Sequence, residues 1–252
     1  MTLNRFSSSF SEDPTPLPGA PPFVLSSNDP GIVRVPTHVD PIFVGADRLL
    51  GDDGRVDRSL YPSGRGAQID LLLDRLGERG TLRLDVVDDA RSVPKDGWTD
   101  LASLAAAVDG VLIASVESVH VGFHLGGVGS LATFGATEWL EDDAWPPPRC
   151  VVVPQGELTL GERRLVVRGR QWADTPRAGD RLLIFLEDNW YNRVSDVASV
   201  RAPQVVTLRA DGSTSLPKLL RRAEPGLAAT DAEALLSRVR AYRRRSSSIA
   251  SP

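Results

Sequence analysis

The side chains able to do chemistry are few and scattered. Of three histidines, only His120 and His124 stand close together. On a strand this spacing puts both on one face, but about 13 Å apart. That is too far to share a metal ion unless the chain folds back there, and His38 adds nothing to them. Cys150 is the single cysteine, which excludes an intramolecular disulfide and argues against a structural zinc site. The acidic turn Gly51–Gly54 has too few spaced ligands for a calcium loop. Glu117 falls on an otherwise apolar strand face. A bulge across Ser115–Ser118 would turn it outward, whereas burial would raise its pKa. No G-x-S-x-G, no cysteine–histidine pairing and no phosphate-cradling loop is present. The run Gly126-Gly127-Val128-Gly129 lies between two strands, where a dinucleotide loop would need a helix after it. The expectation is therefore no catalytic residue, no cofactor and no metal ligand.

Two groups of residues suit contact instead. Five tryptophans are many for a chain with so few aromatics. Trp145, Trp172 and Trp190 fall in loop-like contexts, where an aromatic often marks a binding surface; core plugging is the plainer role. Arg238, Arg240, Arg243, Arg244 and Arg245 crowd the C-terminus. They suit an acidic partner or nucleic acid through non-specific electrostatics, or a solvated helix end that complements the helix dipole. Residues 218–245 hold eight basic residues against three acidic ones, a net of +5. With −4 overall, the rest of the chain carries −9.

The elements that must position these residues centre on 109–140. Residues 111–124 are valine-rich, with apolar residues at most odd positions and an even face that turns polar, as a strand would give. Gly126-Gly127 suits a hairpin turn, and Ser130–Leu140 returns as a strand with Gly129 and Gly135 at bulges or bends. A short helix leads in, capped by Thr99 or Asp100, with Leu101, Leu104 and Val108 on one face. Ala67–Glu78 reads as an amphipathic helix ended by Gly80, and Thr81–Val87 as a strand. Gly31–Val35 and Pro41–Val44 are candidate edge strands. Short strands follow at Cys150–Val153, Arg164–Arg168, Arg181–Leu186 and Gln204–Arg209, with a weaker one around Val194. Their spacing argues for a barrel or sandwich. Thr230 and Glu233 form a capping box for a last helix, whose Leu235, Val239 and Tyr242 would dock on the sheet while the arginines point elsewhere.

The order of elements in 100–212 resembles a recurrent type of uncharacterised bacterial domain. Its members carry a helix ending in Asp, a VVVGxVxSVE strand, an EVLKG motif, an apolar strand with Pro and Gly, and a GDRxLLFL strand. The matching residues are Leu101–Asp109, Val111–Val119, Glu138–Glu141, Val151–Gly156 and Gly179–Leu186. The arrangement looks like the OB-type barrels of netrin-like and metalloproteinase-inhibitor-like domains. Ala114 replaces the usual Gly, and Glu141-Asp142 replaces Lys-Gly. The inhibitors' cysteines are missing, so the resemblance implies a fold and no activity.

The expected architecture is mainly β, α+β overall: a small OB-like β-barrel with a C-terminal amphipathic helix and a short N-terminal α/β extension. Residues 1–30, with six Ser and six Pro, form a flexible arm. The extension covers 31–94, with a boundary near Pro94–Gly97. The barrel domain covers 95–228, the helix 229–245 and a tail 246–252. The expected function is a non-enzymatic binding or protein-interaction module. The first alternative is nucleic-acid binding through the barrel and the arginine-rich helix; an unrecognised hydrolase is the second. A protein partner, a cytoplasmic location and no membrane span complete the expectation.

Overall fold

The computed structural model describes residues 32–33, 43–50, 55–57, 59–61, 65–77, 80–86, 98–124, 127–141, 145–169, 171–188, 192 and 196–249. The arm 1–30, His38, the Gly51–Gly54 turn, the Pro94–Gly97 boundary, Trp190 and Val194 lie outside them. In chain order the elements are β1 (Ile32–Val33), β2 (Phe43–Gly45), α1 (Ala46–Leu49), α2 (Arg65–Leu76), β3 (Gly80–Val86), α3 (Leu101–Ala107), β4 (Gly110–His124) and β5 (Gly127–Trp139). Then come β6 (Cys150–Val153), β7 (Gly156–Leu160), β8 (Arg163–Gly169), β9 (Arg181–Leu186), β10 (Val197–Ala198), β11 (Val205–Leu208), β12 (Thr214–Ser215), α4 (Lys218–Ala223) and α5 (Ala232–Ile249).

The β4–β5 hairpin is the spine, and one irregularity shapes it. Val116 pairs with Phe134 and Ser118 with Thr133, which leaves Glu117 and Gly135 both outside the ladder. Glu117 is exposed, as a bulge there predicts. An extra residue moves every later side chain to the other face. Val111 and Ile113 accordingly pack under the helices. Val119, Val121 and Phe123 join the opposite side, where Leu112, Ala114 and Val116 started. The odd positions therefore do not form one continuous buried face. Each half of β4 buries a different set.

The main sheet runs β10-β6-β5-β4-β9-β11-β12, with β2 on the far end of β4 and β1 beside β2. Among the described residues it has two margins and does not close, so the structure is mainly β without a closed barrel. The sheet still curls. β10 and β11 stand five strand positions apart, about 24 Å if flat. The link 199–204 includes a 3₁₀ turn at Ala202–Gln204, so it reaches only about 20 Å. The concave side packs Trp139, Trp145, Trp172, Leu182, Ile184 and Val205. The convex side packs Leu183, Phe185 and Val206 against α3, α4 and α5.

A second sheet, β3-β8-β7, joins the N-terminal segment to the middle of the chain. β3 runs parallel to β8 over seven residue pairs. Ile69 and Leu73 of α2 share a core with Leu158, Leu165 and the hairpin-tip residues Phe123 and Val128. The N-terminal helix and strand are thus a layer on the hairpin tip. β7 (GELTL) was not expected from the sequence, because Gly156 reads as a strand end. Gly77, at φ +70, follows α2 in the left-handed region; Gly80 opens β3 instead. Among the described residues no helix is long and apolar enough to cross a membrane.

Candidate functional site

Three pieces of chain converge where β4 leaves β9. The first is the turn before β9. The backbone N–H of Val116 donates to the carbonyl of Asp180 at 2.8 Å, and that of Gly179 to the carbonyl of Val116 at 2.9 Å. Gly179 takes φ +86, a conformation that suits a residue without Cβ. The second is the turn after β11, where the Arg209 N–H donates to the Ser213 carbonyl at 2.8 Å. The third is the start of α5, whose Ala232 N–H donates to the Gly212 carbonyl at 3.0 Å.

One buried carboxylate locks the first two pieces together. Asp180 Oδ2 accepts the Arg177 N–H at 2.8 Å and an Arg209 Nη1–H at 2.9 Å. Its Oδ1 accepts the Ala210 N–H at 3.2 Å. Arg209 also reaches Asp174 at 3.1 Å. The Asp180 and Arg209 side chains are only 4% and 16% exposed. A buried charge with this many donors is compensated, so it fixes the geometry.

These pieces enclose a cleft of about 540 Å³, lined by Ser115, Gly179, Arg181, Arg209, Asp231 and Glu233 among others. Arg181 Nη2 donates to Glu233 Oε1 at 2.6 Å across it, and both side chains reach solvent. Asp231 caps α5 by accepting the Ala234 N–H at 2.8 Å. The expected Thr230–Glu233 capping box does not form: Thr230 donates to the Gly226 carbonyl, and Glu233 pairs with Arg181. The cleft offers guanidinium donors, carboxylate acceptors and backbone groups. Its lining holds no histidine or cysteine, and its two carboxylates are engaged, Asp231 with the Ala234 N–H and Glu233 with Arg181, so the arrangement suits holding a charged group.

The anticipated contact residues lie differently. Trp145 and Trp172 are 9% and 7% exposed and sit inside the concave core. Trp145 packs edge-on against Trp139 at 4.8 Å. Trp139 also covers Gly110, where an added Cβ would come within 2.6 Å of its ring. Trp172 lies over Gly169 in the same way. These are core plugs, placed where a glycine lets a ring approach the backbone.

Arg243 is likewise not outward. It is 11% exposed and donates to the carbonyls of Ala105, Val108 and Asp109 and to Glu141. It satisfies carbonyls left free where α3 ends. Arg238 lies 3.9 Å from Glu224 and is half exposed. Arg244 and Arg245 are exposed and Arg240 is half-buried. α5 continues to Ile249, past the expected end at 245.

The remaining polar candidates are tied up or isolated. Ser118 Oγ lies 3.0 Å from His120 Nε2 and 2.6 Å from Thr133 Oγ1. No carboxylate orients that imidazole among the described residues, so a charge-relay triad is not formed. No group of three His, Cys, Asp or Glu residues could hold a metal among them either. Cys150 is fully buried, and burial pushes its thiol up to about 12, which makes it inert.

No family model, no curated protein and no solved structure matches this chain.

Proposed function

We propose that the protein is a non-enzymatic binding module for another protein, and that the cleft between the 177–180 turn, the 209–213 turn and the start of α5 receives a charged loop of that partner. The observation that carries this reading is the cleft itself. It pairs Arg181 with Glu233 across an opening backed by the fixed Asp180–Arg209 pair. An exposed ion pair is worth only about 0–1 kcal/mol, so it can be exchanged for partner charges. The curled sheet supplies the scaffold, in the OB-type arrangement that residues 100–212 resemble.

The test is affinity capture with the full chain, after nuclease treatment, beside the double swap Arg181→Glu, Glu233→Arg. The swap keeps a salt bridge but inverts the charges presented. A nuclease-resistant partner should be held by the native chain and lost by the swap. Equal capture by both would overturn the reading, and so would substrate turnover that one point mutation abolishes.

A second reading, nucleic-acid binding, is favoured by α5. From Ala234 to Ile249 this helix has no acidic residue, and Arg238, Arg240, Arg244 and Arg245 are at least partly exposed.

A further inference from the structure

We infer that the outer surface of α4 and α5 binds duplex nucleic acid through its phosphate backbone, without reading the bases. This rests on the second reading above and narrows it. Both helices use their apolar sides on one core: Leu220 from α4, and Leu235, Leu236 and Val239 from α5. The two helices therefore cover one face of the main sheet, and Glu224 at the end of α4 lies 3.9 Å from Arg238 of α5, so their other sides meet in one outward layer. On it stand Arg221 and Arg222 of α4, exposed, with Arg238, Arg240 and Arg244 of α5.

The acids nearby offset only part of this charge, because residues 218–245 still carry seven basic residues besides Arg243 against three acidic ones. Glu224 accepts the Leu101 N–H at 3.0 Å and lies beside Arg238. Asp231 is the α5 cap, and Glu233 belongs to the cleft pair. Arg243 is excluded from the layer because its guanidinium points into the fold.

The layer also lacks what a single strand requires. Binding unpaired bases depends on aromatic stacking. All four described tryptophans, Trp98, Trp139, Trp145 and Trp172, are buried, and Tyr242 packs against the core. The one large hydrophobic that is exposed among the described residues is Leu71, on α2. Arginines alone sense phosphate density, which is greatest on a duplex, and carry no sequence information.

The experiment is fluorescence anisotropy with the full chain and three labelled probes. Two are duplexes of unrelated sequence, and the third is one of their single strands. Both duplexes should bind equally and the single strand more weakly. With about four phosphate contacts, duplex affinity should fall about 100-fold between roughly 50 and 200 mM salt. Arg240→Glu with Arg244→Glu should weaken duplex binding at least about tenfold and flatten the salt slope. Arg221→Glu with Arg222→Glu should act alike, so misfolding of one variant, seen by circular dichroism, leaves the other to decide. A single strand that binds as tightly as the duplex, still through these arginines, would overturn the duplex inference and leave nucleic-acid binding standing. Duplex binding that is absent, or unchanged by both reversals, would overturn both.

Discussion

Arginine 243 shows how a residue type misleads when its neighbours are unknown. In sequence it is one of five arginines in a solvent-like run; in the fold it holds the C-terminal carbonyls of α3. Arg243→Ala should therefore destabilise the protein by about 2–4 kcal/mol, read from the urea midpoint. Arg244→Ala, on an exposed position, should stay within about 0.5 kcal/mol. Asp180 makes the same point with a carboxylate. Asp180→Ala leaves Arg209 without its buried partner and should cost about 3–5 kcal/mol. Asp100 adds a pH dependence. The Ser103 backbone N–H, and then its hydroxyl, hold the Asp100 carboxyl below the ordinary carboxylate range. A group lowered by folding contributes stability above its unfolded value, and that contribution is lost as pH falls through the folded value. Between pH about 5 and about 3 the native chain should lose more stability than Asp100→Asn, by urea denaturation at each pH. Cys150, raised by burial, works in the opposite sense: its contribution is complete below the unfolded thiol value and is lost as pH rises toward about 12. A thiol reagent at neutral pH should modify it only as fast as the protein opens.

Elements whose signal is local were legible in the sequence. The β4–β5 hairpin, α3 with a cap at Thr99 or Asp100 (Asp100 in the fold), β6 and β9 follow from periodicity and capping residues that act within a few positions. The bulge at Glu117 was legible as one of two readings of a carboxylate on an apolar face, and the register shift between Val116 and Ser118 selects it. β7 was not, since five residues beginning at a glycine carry little pattern. The convergence of the 177–180 turn, the 209–213 turn and α5 was also hidden. Each reads as an ordinary turn or cap, and only tertiary contacts make them one cleft. Trp145 and Trp172 follow the plainer of their two readings, as core plugs: loop context resembles exposure, but Gly110 and Gly169 make room for the rings. Gly122 permits a similar close approach between strands. An added Cβ would lie 2.1 Å from the Val44 carbonyl oxygen and 2.8 Å from the Phe43 ring. Gly122→Ala should push β2 off β4 and cost more than about 2 kcal/mol, seen as early hydrogen exchange at residues 43–45.

At the scale of the molecule, the N-terminal layer shares one core with the tip of the β4–β5 hairpin and one parallel strand pair with β8. The layer and the main sheet should unfold together. Tryptophan fluorescence reports on the main-sheet cores, and amide exchange in β3 and β8 reports on the layer; both should give one midpoint. Exchange at β3 and β8 well below the fluorescence midpoint would mean a separate unit. The placement of the binding surface is also a whole-molecule claim, because it joins residues from three distant stretches. Its most direct test is hydrogen exchange on the protein with its captured protein partner bound. Amides of 177–181, 209–213 and 231–234 should become protected, while 145–149 and 171–173 should not change. Protection around Trp145 and Trp172 with none at the cleft would contradict the account.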